Sequence, residues 1–394
     1  QKVTAHNVGG GGVVTIDTGT TLTSVTGLFD DNSGNDQIKV LLSHTTGVDI
    51  STINMTDVNN VALNTGAKGT MTIAQNNVIN AAAGTNKVTL ADAGTVTANA
   101  NVEEYVLFAG GGTTLTLSDA AQSVTTSTGS GNDIIDVLAY TATGTFNTET
   151  GDTIKLSDTA NIAGVDGEGN GAGAALDAAN LTLADDASVS MTAAQHNGFT
   201  GTVTAGGTEQ ITLTTTGTVT GESVIETYVL SGNNNVFTLG TGAQSVNTGT
   251  GTGNSIDVLA LTATGTFTTD ATDTIKLSDT ANIAGVNSGA AVTATKLTLA
   301  DDASVSMTAA QNNGFTGTVT AGGTEQITLT NAADSTALSG IETYQLAAGT
   351  QTITLADTAQ NVTAHGTGGS GVVTIDTGNL TSVTGTFDDN SGND

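Results

Sequence analysis

The sequence predicts an all-β fold, a parallel β-solenoid built of tandem repeats of about 120 residues. Three observations support this fold class. A long segment recurs almost unchanged further along the chain, and short β-branched runs alternate with glycine-rich turns. Large aromatic residues are scarce at 3%, and proline is absent. Together these features indicate stacked coils around a narrow aliphatic core.

The repeat is visible without any alignment to other proteins. Segment Leu181–Thr214 returns at Leu297–Thr330 with one change, His196 to Asn312, at an offset of 297 − 181 = 116 residues. Similar landmarks predict repeat units at residues 1–121, 122–243 and 244–359, with a fourth beginning at 360–394. Because the chain lacks an initial Met and stops inside a repeat, we expect it to be an excerpt of a longer repetitive protein.

Within a unit, apolar and threonine residues alternate, which is the period of strands. Runs such as LTL, SVSM, QITLT, ETYVL and TIKLS follow one another roughly every 8–10 residues, separated by Gly, Asn, Asp and Ser turns. Only AALDAAN, near Ala174, suggests a turn of helix. A coil of about 20–30 residues fits this spacing. A string of β-sandwich domains is the alternative, but sandwiches usually need larger aromatic core residues.

Composition excludes several classes of function. Seven lysines against 37 acidic residues give a net charge of −30, so the chain lacks the basic surface that nucleic acids require. Cysteine is absent, and no apolar run is long enough to insert into a membrane. The pairs Asp185-Asp186 and Asp301-Asp302 are expected in turns rather than in an acid–base couple. We therefore expect no enzyme activity.

Aspartates beside glycines at strand ends suggest calcium sites, because calcium prefers six to eight oxygen ligands. Thr128–Asp136 reads TGSGNDIID and follows the calcium-binding nonapeptide G-G-x-G-x-D-x-U-x. The equivalent stretch in the next repeat departs from it, with Ser255 at the Asp position. The competing interpretation is that these aspartates only accept hydrogen bonds in turns. The candidate ligands are Asp17, Asp36, Gly129, Gly131, Asp133, Asp136, Asp152, Asp257, Asp273 and Asp376.

Two other sets of residues recur at the repeat spacing. We expect the lysines to point outward and pair with carboxylates, and the tyrosines to be half-buried packing residues. These residues are Lys39, Lys155 and Lys276, and Tyr105, Tyr228 and Tyr344. Neither His44 nor His196 has a histidine counterpart in another repeat, which argues against a catalytic role for either residue.

The strings GIETYQL, LTLSDAAQSV and TGSGNDIID resemble the β-strand-repeat regions of bacterial RTX-type secreted proteins. That family includes surface-layer proteins and large adhesins. The resemblance implies export through a channel and calcium-driven folding outside the cell. It therefore predicts a location at the cell surface and Ca²⁺ as the bound ion.

The expected function is that of a non-catalytic extracellular structural protein. Repetition favours self-assembly into a surface layer, sheath or filament, because many identical weak contacts add up along the repeat. The expected partner is a second copy of the chain, with cell-surface polysaccharide as a further candidate, and neither nucleic acid nor membrane insertion is expected. The alternative is the spacer or stalk of a large calcium-dependent bacterial adhesin.

Overall fold

A computed structural model describes residues 2–4, 13–30, 37–54, 58–126, 128, 131–365 and 371–389. The chain divides into two compact units, Gln1–Gly207 and Thr208–Asp394. The fold is a parallel β-solenoid of about 17 turns, with 6% helix. With 394 residues in about 17 turns, one turn takes about 23 residues, as the strand spacing predicts. The solenoid prediction is confirmed, and the sandwich alternative is wrong.

Unit 1 contains four sheets whose neighbouring strands come from successive coils. In spatial order, the first two sheets comprise Lys2–Thr4, Gly27–Asp30 and Ile53–Asn54, and then Val13–Asp17, Gln37–Leu42, Val58–Leu63 and Ile79–Ala81. The third sheet comprises Asp166–Gly167, Thr145–Asn147, Ser123–Thr125, Glu104–Val106, Lys87–Leu90, Lys68–Met71 and Val48–Asp49. The fourth comprises Thr95–Thr97, Thr114–Thr116, Ile134–Asp136, Thr153–Leu156, Asn180–Leu183 and Val203–Thr204, and Ser188–Met191 is a further strand.

Unit 2 repeats this arrangement. One row of strands comprises Gln210–Leu213, Thr227–Leu230, Ser245–Asn247 and Phe267–Thr268. A second comprises Thr218–Thr220, Val236–Thr238, Ser255–Asp257, Thr274–Leu277, Lys296–Leu299 and Val319–Thr320. The remaining two comprise Ser304–Met307, Gln326–Leu329, Thr343–Gln345, Asn361–Thr363 and Phe387–Asp388, and Ser335–Thr336, Gln351–Thr354 and Val373–Asp376.

The core is built from one inward side chain per short strand. In unit 1, Val88, Tyr105, Val124 and Phe146 lie in register on successive coils, and all four are fully buried. Each contributes roughly 1.5–3 kcal/mol by leaving water. Their sequence neighbours are mainly Thr, Ser and Asn, which point outward because side chains alternate along a strand. The alternation therefore fixes both the sheet face and the register.

Three short helices form corners of the coils: Ile73–Asn76, Ala193–Gly198 and Ala309–Gly314. Each begins after a threonine that forms a capping box with a glutamine three residues later, for example Thr192 with Gln195. Val286–Gly289 is a 3-10 turn. The turn of helix predicted at AALDAAN is wrong, because residues 174–179 contain no helix. Tertiary stacking, rather than local alanine content, selects the helical corners.

Candidate functional site

The coil corners hold the predicted aspartates at two kinds of position. Asp133, Asp152 and Asp273 lie directly before a strand and are completely buried. Asp136 and Asp257 are instead the last residues of their strands and are nearly buried. Asp36 and Gly129 lie outside the described residues.

The buried aspartates form a ladder in which each side chain bonds to the backbone of the preceding coil. The Asp133 Oδ1 atom accepts the N–H of Thr113 at 2.7 Å, and Asp152 Oδ1 accepts the N–H of Asp133 at 3.0 Å. The second oxygen of Asp152 accepts the hydroxyl of Thr126 and the N–H of Glu149. These carboxylates therefore satisfy backbone donors between coils.

Unit 2 builds the same ladder with asparagine at two of its three positions. Asn235 Oδ1 accepts from Gly217 N, Asn254 Oδ1 accepts from Asn235 N, and Asp273 Oδ1 accepts from Asn254 N. The structural counterpart of Asp133 is thus Asn254, which precedes its strand as Asp133 does, and not Ser255. A neutral amide therefore supplies the acceptor oxygen at this position in unit 2.

The strand-end aspartates pair with lysines of the next coil. Asp136 Oδ2 lies 2.8 Å from the Nζ atom of Lys155, and Asp257 Oδ2 lies 2.6 Å from that of Lys276. The expected lysine–carboxylate pairs are confirmed at these two positions. Each lysine side chain is over two-fifths exposed, so both ion pairs lie at the protein surface and contact solvent.

Asp17 and Asp376 are exposed and belong to turns. Asp17 Oδ1 accepts the N–H of Gly19 and the hydroxyl of Ser43. Asp376 Oδ1 accepts the N–H of Gly378. Each carboxylate caps a residue two positions later, which is the usual role of aspartate in an Asx turn.

Gly131 has a steric reason to be glycine. It has φ +54, and a Cβ there would lie 2.9 Å from the Cα of Gly151 in the next coil. The glycines of TGSGNDIID thus include one that permits close stacking of two coils. This role requires no ion.

A glutamine stands at the start of three predicted repeat units, as Gln122, Gln244 and Gln360, and the sequence did not predict its function. Gln360 Oε1 accepts the N–H groups of Ala356 and Asp357, at 2.8 and 3.0 Å. Its Nε2 donates to the carbonyls of Leu338 and Ile341 in the preceding coil, at 2.9 and 3.0 Å. One buried amide therefore joins the corners of two coils through four hydrogen bonds.

Five more buried glutamines bridge coils in the same way. Their Nε2 atoms donate to carbonyls between 19 and 33 residues earlier in the chain. The set is Gln75, Gln122, Gln195, Gln244 and Gln311. The T-x-x-Q capping box is a sequence signal that could have found three of these residues, Gln75, Gln195 and Gln311.

A close backbone contact recurs next to this bridge in successive repeats. A Cβ at Gly265 would lie 1.9 Å from the carbonyl oxygen of Gln244, and one at Gly144 would lie equally close to that of Gln122. Any side chain at these positions would collide with the preceding coil. This contact explains why the glycine of the recurring G-T-F strand follows each landmark glutamine.

The three recurring tyrosines are fully buried, so the half-buried prediction is wrong. Tyr105 accepts the N–H of Asn99 at 2.8 Å and donates to Asn76 Oδ1 at 3.1 Å. Burial raises the pKa of Tyr105 to about 12. The ring fills the core while the hydroxyl bonds to two coil corners, and this combination allows the complete burial.

The two histidines without counterparts differ in environment. His44 Nδ1 accepts the N–H groups of Thr46 and Gly47 at 3.1 and 3.0 Å, so this ring closes a turn. His196 is 3% exposed, and burial lowers its pKa to about 4. Its counterpart Asn312 donates to Ser335 Oγ and to the carbonyl of Thr336, which places this position in a buried polar corner.

One acidic loop was not singled out in the sequence. Asp166, Glu168, Asn170, Gly171 and Asp177 follow the spacing of the calcium loop D-x-[DN]-x-[DN]-G-x₅-E, with Glu at the third position and Asp at the last. Asp166 Oδ1 accepts the N–H of Gly171 at 2.8 Å. Desolvation and the adjoining Asp177 carboxyl raise the pKa of Glu168.

The fit to a metal ion can be judged for the described part of the chain. There, no group of three or more His, Asp and Glu side chains is arranged so that it could hold a metal ion. The described aspartates among the candidate ligands bond to backbone N–H groups, hydroxyls or lysines. Calcium binding at these residues stays a prediction.

Within the described residues, the helices are too short and too polar to cross a membrane. No protein-family model, no curated protein and no solved structure matches the chain.

Proposed function

We propose that the chain is a non-catalytic structural protein of the cell surface that assembles with copies of itself into a layer, sheath or filament. The observation that carries this proposal is the repeated polar bridging between coils. Buried Gln, Asn and Asp side chains are used to join one coil to the next. Such residues stabilise a long repetitive stack without creating a reactive site.

The outward faces support lateral packing between copies. Thr95 and Thr97 lie in register with Thr114 and Thr116 on the next coil, so hydroxyl groups recur at the strand spacing of about 4.8 Å. Each contact with a neighbouring copy is weak, but a regular row multiplies it along the stack. A lattice or bundle of parallel copies would use such rows.

A stalk that holds an adhesin away from the cell is the second candidate. The net charge of −30 favours it, because flanks of like charge repel one another. An acidic stalk would stay monomeric and soluble. A layer or filament built from the same chain needs a cation to offset this repulsion.

Calcium is the cation that we propose for this purpose. Its support is the net charge together with the nonapeptide sequence around Gly129 and the GND sequence ending at Asp36. Calcium bound between copies, or at exposed loops, would lower the repulsion that opposes lateral contact.

Sedimentation and negative-stain imaging of the purified chain test the proposal. The expected result is association into sheets or filaments in about 5 mM CaCl₂, and release in EDTA at matched ionic strength. The calcium concentration exceeds the dissociation constants of extracellular calcium-binding modules, which are about 0.1–1 mM. Sodium chloride at the same ionic strength is the control for simple screening. A chain that stays monomeric in both solutions would support the stalk instead.

A further inference from the structure

A buried carboxyl group lies at a coil corner of unit 2. Glu325 directly precedes the strand Gln326–Leu329 and is 0% exposed. Its Oε1 atom accepts the N–H groups of Gly322 at 3.0 Å and Asp302 at 3.3 Å. Its Oε2 atom is buried and has no hydrogen-bond partner when the carboxyl is taken as an acceptor. A charged carboxylate with one bare oxygen is costly in such a place.

A second carboxyl group faces it from the next coil. Glu342 Oε2 accepts the N–H of Glu325 at 2.9 Å, which fixes the Glu342 side chain beside that of Glu325. Burial, followed by the side-chain hydrogen bond with Glu342, raises the pKa of Glu325. Two carboxyl groups in this arrangement hold together when one of them carries a proton.

The remaining charged groups at this corner are also acidic. Asp302 is held by the N–H and the hydroxyl of Thr324, at 2.8 and 3.0 Å, and these bonds lower its pKa, so it stays charged. Asp301 is also close, since a Cβ atom added to Gly322 would lie 3.0 Å from the Oδ1 atom of Asp301. The ion pairs among the described residues are Lys87–Glu104, Lys155–Asp136 and Lys276–Asp257, so no lysine neutralises this corner.

The second repeat also has a buried glutamate at this position, Glu209, whereas the first repeat has a different side chain. In the first repeat Asn86 precedes the equivalent strand, and its N–H bonds to Glu103 Oε2 at 2.6 Å, as Glu325 does to Glu342. Asn86 is an uncharged amide whose Oδ1 accepts the N–H of Ala67 at 3.1 Å. The corner is therefore compatible with a neutral side chain that both donates and accepts.

We propose that Glu325 is a neutral carboxylic acid at physiological pH and donates its proton from Oε2 to the Glu342 carboxylate. The two residues form a proton-dependent clamp between successive coils of unit 2. Loss of that proton to solvent leaves two adjacent carboxylates, one of them fully buried, next to Asp302. This clamp is independent of the proposed assembly and of calcium.

The direction of the pH effect follows from the sign of the shift. An acid that is more easily protonated in the folded state stabilises that state at low pH, and the effect is lost as the pH rises through the folded-state pKa. The clamp is therefore closed in acid and opens on the alkaline side. Opening should expose the amides that its oxygens hold, those of Gly322, Asp302 and Glu325, and we follow Gly322 and Glu325.

The test uses the full chain and measures amide hydrogen exchange at Gly322 and Glu325 between pH 6 and 9, corrected for intrinsic rates. We expect protection in the wild type to fall by about tenfold or more, since one pK unit corresponds to a tenfold change. Glu325→Gln, which mimics the protonated acid, should keep protection constant. Glu103→Gln is the matched control, because its partner Asn86 is already neutral, and it should leave the fall unchanged.

Carboxyl carbon chemical shifts of the wild type give an independent reading that does not depend on a variant folding. A Glu325 resonance that titrates in the ordinary range of glutamate, near pH 4, would overturn the proposal. So would wild-type protection at Gly322 that stays flat to pH 9. Protection restored at pH 9 by about 5 mM CaCl₂, but not by matched NaCl, would assign a cation rather than a proton to the pair and would also refute it.

Discussion

A buried acceptor oxygen just before a strand is the smallest recurring feature of these coils. Asp133, Asp152, Asn254 and Asp273 each place it against the N–H of the previous coil. The backbone donor at a corner has no strand partner of its own, so the side chain supplies one. In unit 2 the amide of Asn254 supplies this oxygen, whereas Asp152 and Asp273 use both of their carboxylate oxygens.

This difference gives a prediction for two neighbouring aspartates. Asp133→Asn should change the free energy of unfolding by less than about 1 kcal/mol, because Asn254 already fills this position in unit 2. Asp152→Asn should cost about 1–3 kcal/mol, because its second oxygen accepts from Thr126 and Glu149 and an amide nitrogen cannot. Urea unfolding followed by circular dichroism measures both.

The same pair of variants examines the calcium hypothesis. If Asp133 bound calcium, Asp133→Asn would remove any stabilisation by calcium, whereas a structural acceptor role leaves that stabilisation intact. An Asp133→Asn variant as damaging as Asp152→Asn would contradict the ladder interpretation.

His196 gives a second prediction at this scale. Its pKa is lowered to about 4 by burial, so folding holds the ring neutral. Stability is complete above the unfolded-state pKa, near 6.5, and falls as the pH drops toward 4, by up to about 3 kcal/mol. His196→Asn copies the residue found at Asn312 and should remove this acid sensitivity.

Thermal unfolding between pH 7 and pH 4.5 measures how much stability each of the two proteins loses in acid. The carboxylates titrate in both proteins, so their contribution cancels in the comparison. Parallel pH profiles for the wild type and His196→Asn would show that the ring is not kept neutral by folding.

At the scale of elements, the glutamine bridge fixes the position of one coil relative to the preceding coil. A strand of three residues forms few backbone bonds, so a corner bridge adds a large share of the contacts between coils. Gly144 and Gly265 then bring the next coil directly against the bridged corner. Corner geometry, rather than strand length, sets the stacking.

Gln360→Leu should therefore destabilise unit 2 by about 2–4 kcal/mol, because it keeps the volume but leaves two N–H groups and two carbonyls unsatisfied. Gln326→Leu is the matched control. That side chain is half-buried and its bonds, to Thr328 and Gln345, are long at 3.4 and 3.3 Å. Equal losses in the two variants, measured by urea unfolding, would argue against a special role for the bridge.

The strands, their parallel stacking and the length of a coil could be predicted from the sequence, because alternation and turn spacing are local signals. The partners of Gln122 or Asp152 could not, because they lie in the preceding coil at separations that vary with each turn. For Lys155 the sequence predicted pairing with a carboxylate, but it did not identify Asp136 as the partner. Complete burial of Tyr105 was missed because it depends on Asn76 and Asn99 at two separate corners.

At the scale of the whole molecule, the main feature is an excess of negative charge, with a net charge of −30. The described ion pairs involve three of the seven lysines, while acidic residues number 37. Self-repulsion of this size opposes a compact state, and salt weakens it. The molecule should therefore become more stable as ionic strength rises, although its ion pairs weaken.

We expect the midpoint of thermal unfolding to rise between about 0.02 and 0.5 M NaCl, over which the Debye length falls severalfold. A double variant, Glu168→Gln with Asp177→Asn, removes two adjoining exposed carboxylates and should be more stable at low salt and less sensitive to salt. A midpoint that falls with salt would mean that ion pairs outweigh repulsion. If CaCl₂ raised the midpoint of thermal unfolding more than NaCl of equal ionic strength did, specific calcium binding would be indicated.

The glutamine bridge also gives the chain a direction of construction. Each amide nitrogen reaches back to carbonyls that were synthesised earlier, at Leu338 and Ile341 for Gln360. A wound coil therefore already presents these acceptors to the coil that follows it in the chain. Each completed turn is thus a ready template for the one that follows, and vectorial growth from the amino end needs no rearrangement of what is already wound.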